Sequence, residues 1–538
     1  MQYRKKIQNN YKEYETDKNR DLFTGIFLSL AAVTIVTKLL GFAEKLVIAN
    51  FFGTSDTADV YFASMGVVLA LVFFVKELVY PSLLPVFAES LSKNSLSSAI
   101  LFKKFFTCSA LILAFIAITQ ALFPQLFANL LAPGFNHSKK IAMSKMLRFL
   151  SPTVFFLGLA TITYTILNAH KKFLKAAWPK AAFKLIIVIG LIALIPALGI
   201  YAVAPVFAFG AVVLLLTQLF FIPEHRSLLN PLNKIPDDSI KKVLTLLMPL
   251  LIGVAFSQIS ELILNILAST LPTGNLSFLS YSKKIINALM LIIPVALVTV
   301  IYAQLAHAYS SADYKKFEKL FIHALRFLLF VTVPLSVLLI FLRTPIIKFL
   351  FERGQFQHNS TIGTSLAFLI YASGFVILST ETLLVHTFYA SSNTKTPVKT
   401  GIFSNCLSIL LALIFLKPLG FIGIALAFVI SKTIKVIILS ALLAKKLKAT
   451  INKSFADFII KLAAATIPAA ILLSLLSDTN FHKDLLNLTL FALFLPTAGF
   501  LTAFTLLSYL FKIEELKKLI DSLIKGKNKC FYLLGKQR

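Results

Sequence analysis

The sequence has little cysteine, tryptophan or charge. Its 538 residues include three cysteines, one tryptophan and 14% charged residues. Cys108, Cys406 and Cys530 are scattered and form no CxxC pair, which argues against a zinc site or a disulfide framework. The eight histidines show no HExxH spacing, and no GxxxxGK[ST] loop occurs, so neither a metal cofactor nor direct use of ATP is expected.

Apolar residues dominate what is present. They make up 58% of the chain, and the mean hydropathy is +0.84, which is typical of an integral membrane protein. The net charge is nevertheless +30, from 53 basic and 23 acidic residues. In a soluble protein this excess would suggest nucleic acid as a partner. Here the placement of the charges predicts membrane topology, and no nucleic-acid partner is expected.

Long apolar runs predict an all-α integral membrane protein. A membrane-spanning helix needs about 20 apolar residues. The polar segment 1–21 lacks the features of a cleaved signal and is expected to be a cytoplasmic tail. Fourteen candidate spans follow it: 22–52, 58–91, 105–131, 146–168, 181–198, 199–221, 243–270, 277–309, 320–342, 361–388, 400–416, 419–444, 456–476 and 485–511.

The distribution of basic residues predicts the orientation of these spans. With both termini in the cytoplasm, the tails and inner loops hold 35 Lys and Arg, against 8 in the outer loops. Such an asymmetry is the positive-inside pattern of multi-pass membrane proteins. It also accounts for most of the net positive charge. We therefore predict a multi-pass protein of the bacterial inner membrane with both termini cytoplasmic.

An internal repeat divides the chain. The segment "LNAHKKFLKAAWPK" at 167–180 resembles "FYASSNTKTPVKT" at 388–400, and "LGIYAVAPVFAF" at 198–209 resembles "LGFIGIALAFVI" at 419–430, both with an offset of 221 residues. We predict two six-helix lobes of the same topology, with a substrate site between them. The predicted segments are lobes 22–221 and 243–444, an inter-lobe linker 222–242, two extra helices 445–511 and a basic amphipathic tail 512–538 at the anionic leaflet.

Ionisable groups at membrane depth are the strongest candidates for a functional site. Each costs at least about 2.5 kcal/mol in lipid, so it should face a cavity or a partner. We favour Lys38, Lys76 and Lys284 as cavity-lining residues, whereas snorkelling explains Lys45, Lys432, Lys435 and Lys461 equally well. The remaining members of the set are Glu44, Asp59, Glu77, Glu261, Lys283, Arg326 and Glu381.

These charges predict a hydrated, cationic cavity that accepts a phosphate or pyrophosphate head group. Neither the neighbours Glu44 and Lys45 nor the neighbours Lys76 and Glu77 can share one helix face, so any partners are expected on other helices. Gly41 and Pro294 mark places where a helix can loosen, and Pro81 and Pro85 do the same in the second span.

Seven segments in order make the chain similar to the MurJ/MviN lipid II flippases, within the multidrug/oligosaccharidyl-lipid/polysaccharide exporter superfamily. The resemblance runs from about residue 29 to 445. The segments are "TKLLGFAEKLVIANFFGTSDTADVYFAS" (37–64), "LAPGF" (131–135), "LNAHKKF" (167–173), "GVAFSQISELILNILAS" (253–269), "SYSKK" (280–284), "LFERGQF" (350–356) and "FYASSNTKTPVK" (388–399).

The resemblance assigns residues to the family's cationic site. The family's Ser-Arg pair falls on Thr37 and Lys38, and its Arg-Asp pair falls on Glu44 and Lys45 with the signs reversed. Its aspartate in span 2 is retained as Asp59, its arginine in that span falls on Val72, and its EGA glutamate falls on Lys76. Its arginine in span 8 falls on Lys284. The family's arginines are thus replaced by lysines or displaced, which roughly preserves the number of cations and loses the bidentate fork.

The resemblance implies a fold of two lobes around a central cationic cavity, with a lipid-tail groove near the last two helices. It also implies alternating access for a polyprenyl-diphosphate saccharide, with lipid II and phospholipids as partners and the cell-wall machinery as a further candidate. The coupling source, the membrane potential or a monovalent ion, stays open. The complete set of predicted substrate-binding residues is Thr37, Lys38, Glu44, Lys45, Asp59, Lys76, Glu77, Gln258, Glu261, Lys283 and Lys284.

Four other functions are open at this stage. The displaced arginines favour an exporter of another polyprenyl-linked unit, such as an O-antigen or capsule unit. A drug/ion antiporter is disfavoured by fourteen spans, and a glycosyltransferase or polymerase is disfavoured because the long outer loops offer only Glu352 as a carboxylate. An assembly scaffold is the fourth. A transporter rather than an enzyme is therefore predicted.

Overall fold

The computed structural model describes residues 29–93, 95–223, 238–447, 453–477 and 489–524. Every regular element within these residues is helical. The helices are α1 (29–52), α2 (Asp56–Lys93), α3 (Ser95–Leu122), α4 (Pro124–Leu131), α5 (His137–Ala169), α6 (Phe173–Leu198), α7 (Val203–Phe220), α8 (Asp238–Ser269), α9 (Asn275–Met290), α10 (Ala296–Ser310), α11 (Tyr314–Phe341), α12 (Arg343–Phe351), α13 (His358–Ser373), α14 (Phe375–Ala390), α15 (Lys395–Leu447), α16 (Lys453–Ser477), α17 (Thr489–Leu510) and α18 (Glu514–Ile524).

The all-α membrane class is confirmed. Within the described residues, nine continuous helices are long and apolar enough to cross a membrane, and α13 with α14, bent by 42°, makes a tenth. Two of the nine, Phe173–Phe220 and Lys395–Lys445, each contain two of the predicted spans. The predicted number of fourteen crossings is therefore not reached by a count of continuous helices.

The internal repeat recurs in the backbone. Three pairs of residues with positive φ are each separated by 221 residues, the offset found in the sequence. The pairs are Gly53 with Gly274, Lys171 with Ser392, and Gly199 with Gly420. In the last pair ψ also agrees, at −142° and −132°, so the same break separates α6 from α7 and kinks α15.

Backbone irregularity falls at one of the predicted positions. A π-helix, Leu291–Val295, surrounds Pro294 and joins α9 to α10. The helix α1 continues through Gly41, and α2 contains Pro81 and Pro85 without a break. These two helices therefore do not loosen where the sequence suggested.

The chain folds into two compact units. Unit 1 comprises the residues up to Ile48 together with Ala63–Gln258, and unit 2 comprises Ala49–Phe62 together with the residues from Ile259 onward. The chain thus passes from unit 1 into unit 2 at the end of α1 and returns within α2. The predicted lobe boundaries, 22–221 and 243–444, stay predictions.

Unit 1 is organised around α5, which packs against α3, α4, α6 and α7. Buried polar side chains join these helices. Thr163 in α5 donates a hydrogen bond to Gln218 of α7 (2.7 Å), whose amide nitrogen donates to the carbonyl of Ala176 in α6 (3.3 Å). Gln120 of α3 donates to the carbonyl of Leu147 (2.8 Å). Such bonds hold apolar helices together in lipid, where the hydrophobic effect contributes little.

In unit 2, α11 is the central helix, and it packs against α10, α13, α14 and α16. The first helix of the predicted basic tail, α18, packs on the same assembly, because Ile513 and Leu516 are buried with Phe458 and Phe504 in one apolar cluster. Residues 525–538 of that tail lie outside the described residues. The predicted placement at the leaflet stays a prediction.

The salt bridge between Arg326 of α11 and Glu515 holds α18 in place. Arg326 Nε lies 2.7 Å from Glu515 Oε1, and its guanidinium lies 4.8 Å from the centre of the Phe458 ring. The Glu515 side chain is 3% exposed. We expect Arg326→Met to destabilise unit 2 by about 3 kcal/mol or more, because it leaves a buried carboxylate unpaired. Thermal unfolding in detergent measures the loss, and the double variant Arg326→Met/Glu515→Leu should recover most of it; no recovery would contradict the pairing.

Candidate functional site

A buried carboxylate in unit 1 joins α1 to α6. Glu44 is 2% exposed. Its Oε1 lies 2.8 Å from Nζ of Lys45, and its Oε2 lies 2.7 Å from Nζ of Lys184. The stem of Lys184 crosses α1 at Gly41, where a β-carbon would lie 3.8 Å from Lys184 Cε. Lysine, glutamate and lysine therefore form one line of alternating charge between two helices.

The expectation for these neighbours was correct for Glu44, which meets Lys184 on another helix, but it was wrong in excluding direct pairs between neighbours. The neighbours Glu44 and Lys45 do pair directly, and Lys76 pairs with Glu77 in the same way, at 3.2 Å. Long flexible side chains can reach across the angle between adjacent helix positions. The buried Lys45, 7% exposed, is thus held by a carboxylate rather than extended to the interface.

Three further lysines of unit 1 share one region. Lys38 of α1 is repelled by the ammonium groups of Lys76 and Lys184, and Lys180 of α6 is repelled by both Lys38 and Lys76. Lys180 is partly stabilised by a cation–π contact, with its Nζ 3.0 Å from the centre of the Tyr164 ring. The structure therefore brings Lys38 and Lys76 together with a lysine that the sequence placed in a loop.

The cluster carries an excess of positive charge. Five ammonium groups meet two carboxylates there, which leaves a formal charge of +3; the lysines are Lys38, Lys45, Lys76, Lys180 and Lys184, and the carboxylates are Glu44 and Glu77. Like charges held close together raise the local potential, and an anion relieves it. The chemistry of this cluster suits a phosphate or diphosphate.

Unit 2 contains a second charged region around a cavity of about 510 Å³. It opens between α9, α14 and α15, which pack together in this unit. Its wall mixes charged, polar and apolar groups from these helices and from α8. The lining residues are Glu261, Lys283, Asn287, Met290, Leu378, Glu381, Thr382, Val385, His386, Phe428, Lys432 and Lys435.

Ion pairs organise this cavity. Lys283 Nζ lies 2.7 Å from Glu261 Oε1. Glu381 Oε1 accepts from both Lys432 (3.2 Å) and Lys435 (2.6 Å). Three ammonium groups and two carboxylates give a formal charge of +1. Lys432 and Lys435 thus line a cavity, although the sequence alone could not separate this placement from snorkelling.

Asp59 holds the start of helix α9. It is 2% exposed, and its carboxylate accepts from the N–H groups of Gly274 (2.8 Å) and Ser277 (3.1 Å) and from the Ser277 hydroxyl (2.6 Å). A carboxylate at this place satisfies the first donors of α9 and complements its dipole.

The remaining predicted residues divide between the two units. In unit 1, Thr37 donates to the carbonyl of Val33 (2.7 Å) one turn earlier in α1, and Gln258 is half-buried in α8. In unit 2, Lys284 is half-buried in α9, next to the cavity-lining Lys283.

The turn between α1 and α2 is fastened inside unit 2, in what we name the outer clasp (residues 49–62 with 273–281 and 353–360). The N–H of Gln355 donates to the carbonyl of Asn50 (2.9 Å), and the Tyr281 hydroxyl donates to the carbonyl of Gly53 (3.0 Å). Thr54 and Ser360 share a hydrogen bond of 2.7 Å. These bonds fix a turn that, by the predicted orientation, lies on the outer side.

Sequence reasoning missed Lys180 and Lys184. The run of basic residues at 171–184 looks like a solvated segment in the sequence, so neither lysine was among the predicted site residues. In the structure α6 already begins at Phe173, so the last two lysines of the run sit two and three turns into a helix.

The described residues contain no group of three or more His, Cys, Asp or Glu side chains arranged to hold a metal ion. The chemistry of both charged regions comes from lysine and glutamate.

Comparison with known proteins gives a consistent result. The family model described as "Lipid II flippase MurJ" matches residues 48–494. A probable lipid II flippase MurJ of Buchnera aphidicola (subspecies Acyrthosiphon pisum) is 28% identical over 460 residues, covering 83% of this chain and 88% of that protein. The lipid II flippase MurJ of Thermosipho africanus is 28% identical over 495 residues, covering 88% and 99%.

Solved structures with a similar fold include a MurJ protein. A lipid II flippase MurJ in an inward closed conformation superposes with a TM-score of 0.75 at 25% identity, covering 90% of this chain and 98% of that one. An inward-facing multidrug-resistance transporter of the MATE family gives a TM-score of 0.68 at 14% identity, covering 77% and 94%, which shows a shared fold.

Proposed function

Because this chain belongs to the MurJ family of lipid II flippases, we propose that it moves lipid II, a polyprenyl-diphosphate-linked saccharide, from the inner to the outer leaflet of the bacterial inner membrane. The observation that carries this proposal in the molecule itself is the lysine cluster of unit 1. A diphosphate needs several cations at membrane depth, and Lys38, Lys76 and Lys180 are ammonium groups of one unit that repel one another. Lys283 and Lys284 of unit 2 are the proposed contacts from the second lobe.

Ligand binding in this scheme exchanges ion pairs. Lys76 is held by Glu77 in a half-exposed pair, so its ammonium can move to a phosphate at little cost. Glu44 is buried, and it fixes Lys45 and Lys184 as the wall behind the site. An exchange of this kind supplies the differential affinity between states that a conformational change requires.

We propose fourteen crossings arranged as two six-helix lobes and two further helices. The helical segment Phe173–Phe220 has 48 residues, about 70 Å at 1.5 Å per residue, which is more than twice the hydrocarbon thickness. The break at Gly199 divides it into two crossings, and Gly420 divides α15 likewise. We also propose that both termini are cytoplasmic and that a groove near α16 and α17 holds the lipid tail.

Alternating access follows from this arrangement. The outer clasp holds residues 49–62 in unit 2, while the residues on both sides of them in the chain belong to unit 1. We propose that the outer clasp releases these residues when the protein opens toward the outer side. Moving one charge through the membrane potential supplies about 2.3 kcal/mol per 100 mV, and the potential or a monovalent ion is the proposed driving force. Phospholipids and the cell-wall synthesis machinery are proposed as partners.

Lys38→Ala and Lys180→Ala each test the site. We expect transport of lipid II in proteoliposomes to fall roughly tenfold to a hundredfold, because a charge-assisted hydrogen bond contributes about 1.5–3 kcal/mol. Neither variant should complement cells depleted of their lipid II flippase, although both should be inserted at normal levels. Lys461→Ala is the matched control, since Lys461 lies at membrane depth and pairs within its own helix with Asp457 (2.7 Å). Full transport by both cluster variants would reject the assignment.

The second candidate substrate is another polyprenyl-linked oligosaccharide, such as an O-antigen or capsule unit. By the resemblance, the family's arginines are replaced by lysines or displaced, and an ammonium is a point charge without the bidentate geometry of guanidinium. The same proteoliposomes loaded with an undecaprenyl-diphosphate O-antigen unit decide between the two. Faster transport of that unit than of lipid II would favour this candidate.

A further inference from the structure

A second cavity of unit 2, about 360 Å³, lies within the outer clasp, between the α1–α2 turn and the segment that leads into α13. Its volume is near the lower end of the range found for small-ligand pockets, about 300–1,000 Å³. The lining residues are Phe51, Phe52, Thr54, Ser55, Thr57, Gln355, Gln357, Asn359 and Ser360.

The wall of this pocket is polar and carries no charged side chain. In the part of the chain that the structure describes, the side-chain amides of Gln355, Gln357 and Asn359 have no hydrogen-bond partner, and all three residues are exposed. Each amide offers two donors and one acceptor. Such a site has no charged group that would pair with an anion or a cation, and it suits a ligand with many neutral donors and acceptors.

The pocket is built before any ligand arrives. Gly53 and Gly354 both adopt left-handed backbone conformations, with φ of 54° and 56°. A β-carbon on Gly53 would lie 2.2 Å from the carbonyl oxygen of Gln355, so the two walls are in direct backbone contact. The hydrogen bond between Thr54 and Ser360 joins the walls a second time. A preformed pocket loses little entropy on binding.

We propose that this pocket binds an uncharged sugar ring. Adjacent hydroxyl groups of a sugar match the donor and acceptor of one carboxamide, and the half-buried rings of Phe51 and Phe52 offer an apolar surface for the C–H face of the sugar. The sugar belongs either to the head group of the transported lipid, which rests on the proposed function, or to glycan already outside the membrane.

Binding is tested with the full-length protein in nanodiscs and N,N′-diacetylchitobiose, by saturation-transfer NMR and titration calorimetry. We expect Gln357→Ala/Asn359→Ala to weaken binding at least tenfold. Gln125→Ala is the matched control, an exposed glutamine on α4 of unit 1, and it should bind as the parent does. No binding by the parent, or equal binding by the double variant, would overturn the proposal. So would competition by the stem-peptide mimic diacetyl-Lys-D-Ala-D-Ala for the same residues.

Transport by the double variant then identifies the source of the sugar. A slower release of lipid II on the outer side assigns the pocket to the head group. Normal transport with lost disaccharide binding assigns it to external glycan. If the parent binds the disaccharide but moves no lipid II, the flippase function fails while the sugar pocket stands, so the two failures are separate.

Discussion

Gly354→Ala is expected to abolish complementation of flippase-depleted cells. A β-carbon at Gly354 would lie 2.3 Å from the carbonyl oxygen of Asn50, and φ is 56°. Both partners are backbone, so no side-chain rotation relieves the overlap. The bond from Gln355 N–H to Asn50 must break, which releases one end of the outer clasp while the Tyr281–Gly53 and Thr54–Ser360 bonds remain. Thr54→Cys in a cysteine-free background, labelled from outside with an impermeant maleimide, measures this release as faster labelling.

Gly199→Ala provides the control for backbone strain. Gly199 has nearly the same φ, 58°, but no atom lies within 4 Å of the position that its β-carbon would occupy. Its substitution therefore costs only the backbone strain of a sparsely populated conformation, about 1–3 kcal/mol. We expect this variant to complement and to label slowly at position 54. Equal behaviour of the two alanine variants would show that strain, and not the clasp, is responsible.

Glu44→Ala has the second largest expected effect, on stability. The carboxylate is buried and holds Lys45 and Lys184 at 2.8 and 2.7 Å. Its removal leaves two ammonium groups in apolar surroundings, and breaking a buried pair costs about 3–5 kcal/mol. We expect the detergent-solubilised variant to unfold well below the parent's temperature, with low yield.

The double variant Glu44→Ala/Lys184→Met should recover part of that loss, because it removes one of the orphaned charges together with the carboxylate. Glu77→Ala is the comparison for an exposed pair, since the side chains of Lys76 and Glu77 are 49% and 39% exposed. Surface pairs contribute about 0–1 kcal/mol, so its unfolding temperature should stay near that of the parent. A Glu44→Ala protein as stable as Glu77→Ala would refute the structural role of Glu44.

The helical class and the repeat could be predicted because both follow from patterns of neighbouring residues in the sequence. Apolar runs of span length and the offset of 221 residues need no knowledge of packing, and the offset reappears in the backbone at Gly199 and Gly420. Exact helix ends could not be predicted. The basic residues of 171–184 look solvated in sequence, whereas Lys180 and Lys184 find an aromatic ring and a carboxylate on other helices.

The sequence indicated that charged side chains gather within the helices, but it did not indicate their pairs. Membrane-depth charge alone pointed to Lys38 and Lys76, since lipid makes such groups expensive wherever they lie. Which carboxylate meets which ammonium depends on helix rotation, which the sequence does not encode locally. Asp59 illustrates this limit, because its partners at the start of α9 are more than two hundred residues away in the chain.

The π-helix Leu291–Val295 sets α9 and α10 out of phase. One extra residue in a helical turn rotates everything beyond it by about 100°. The cavity-facing side of α9, which carries Lys283 and Asn287, is therefore oriented independently of the side of α10 that buries Val298 and Ile301. Deletion of a single residue from this segment would leave α9 and α10 helical but would rotate the side chains of α10 away from their present partners. The number of residues in the segment therefore matters more than their identity.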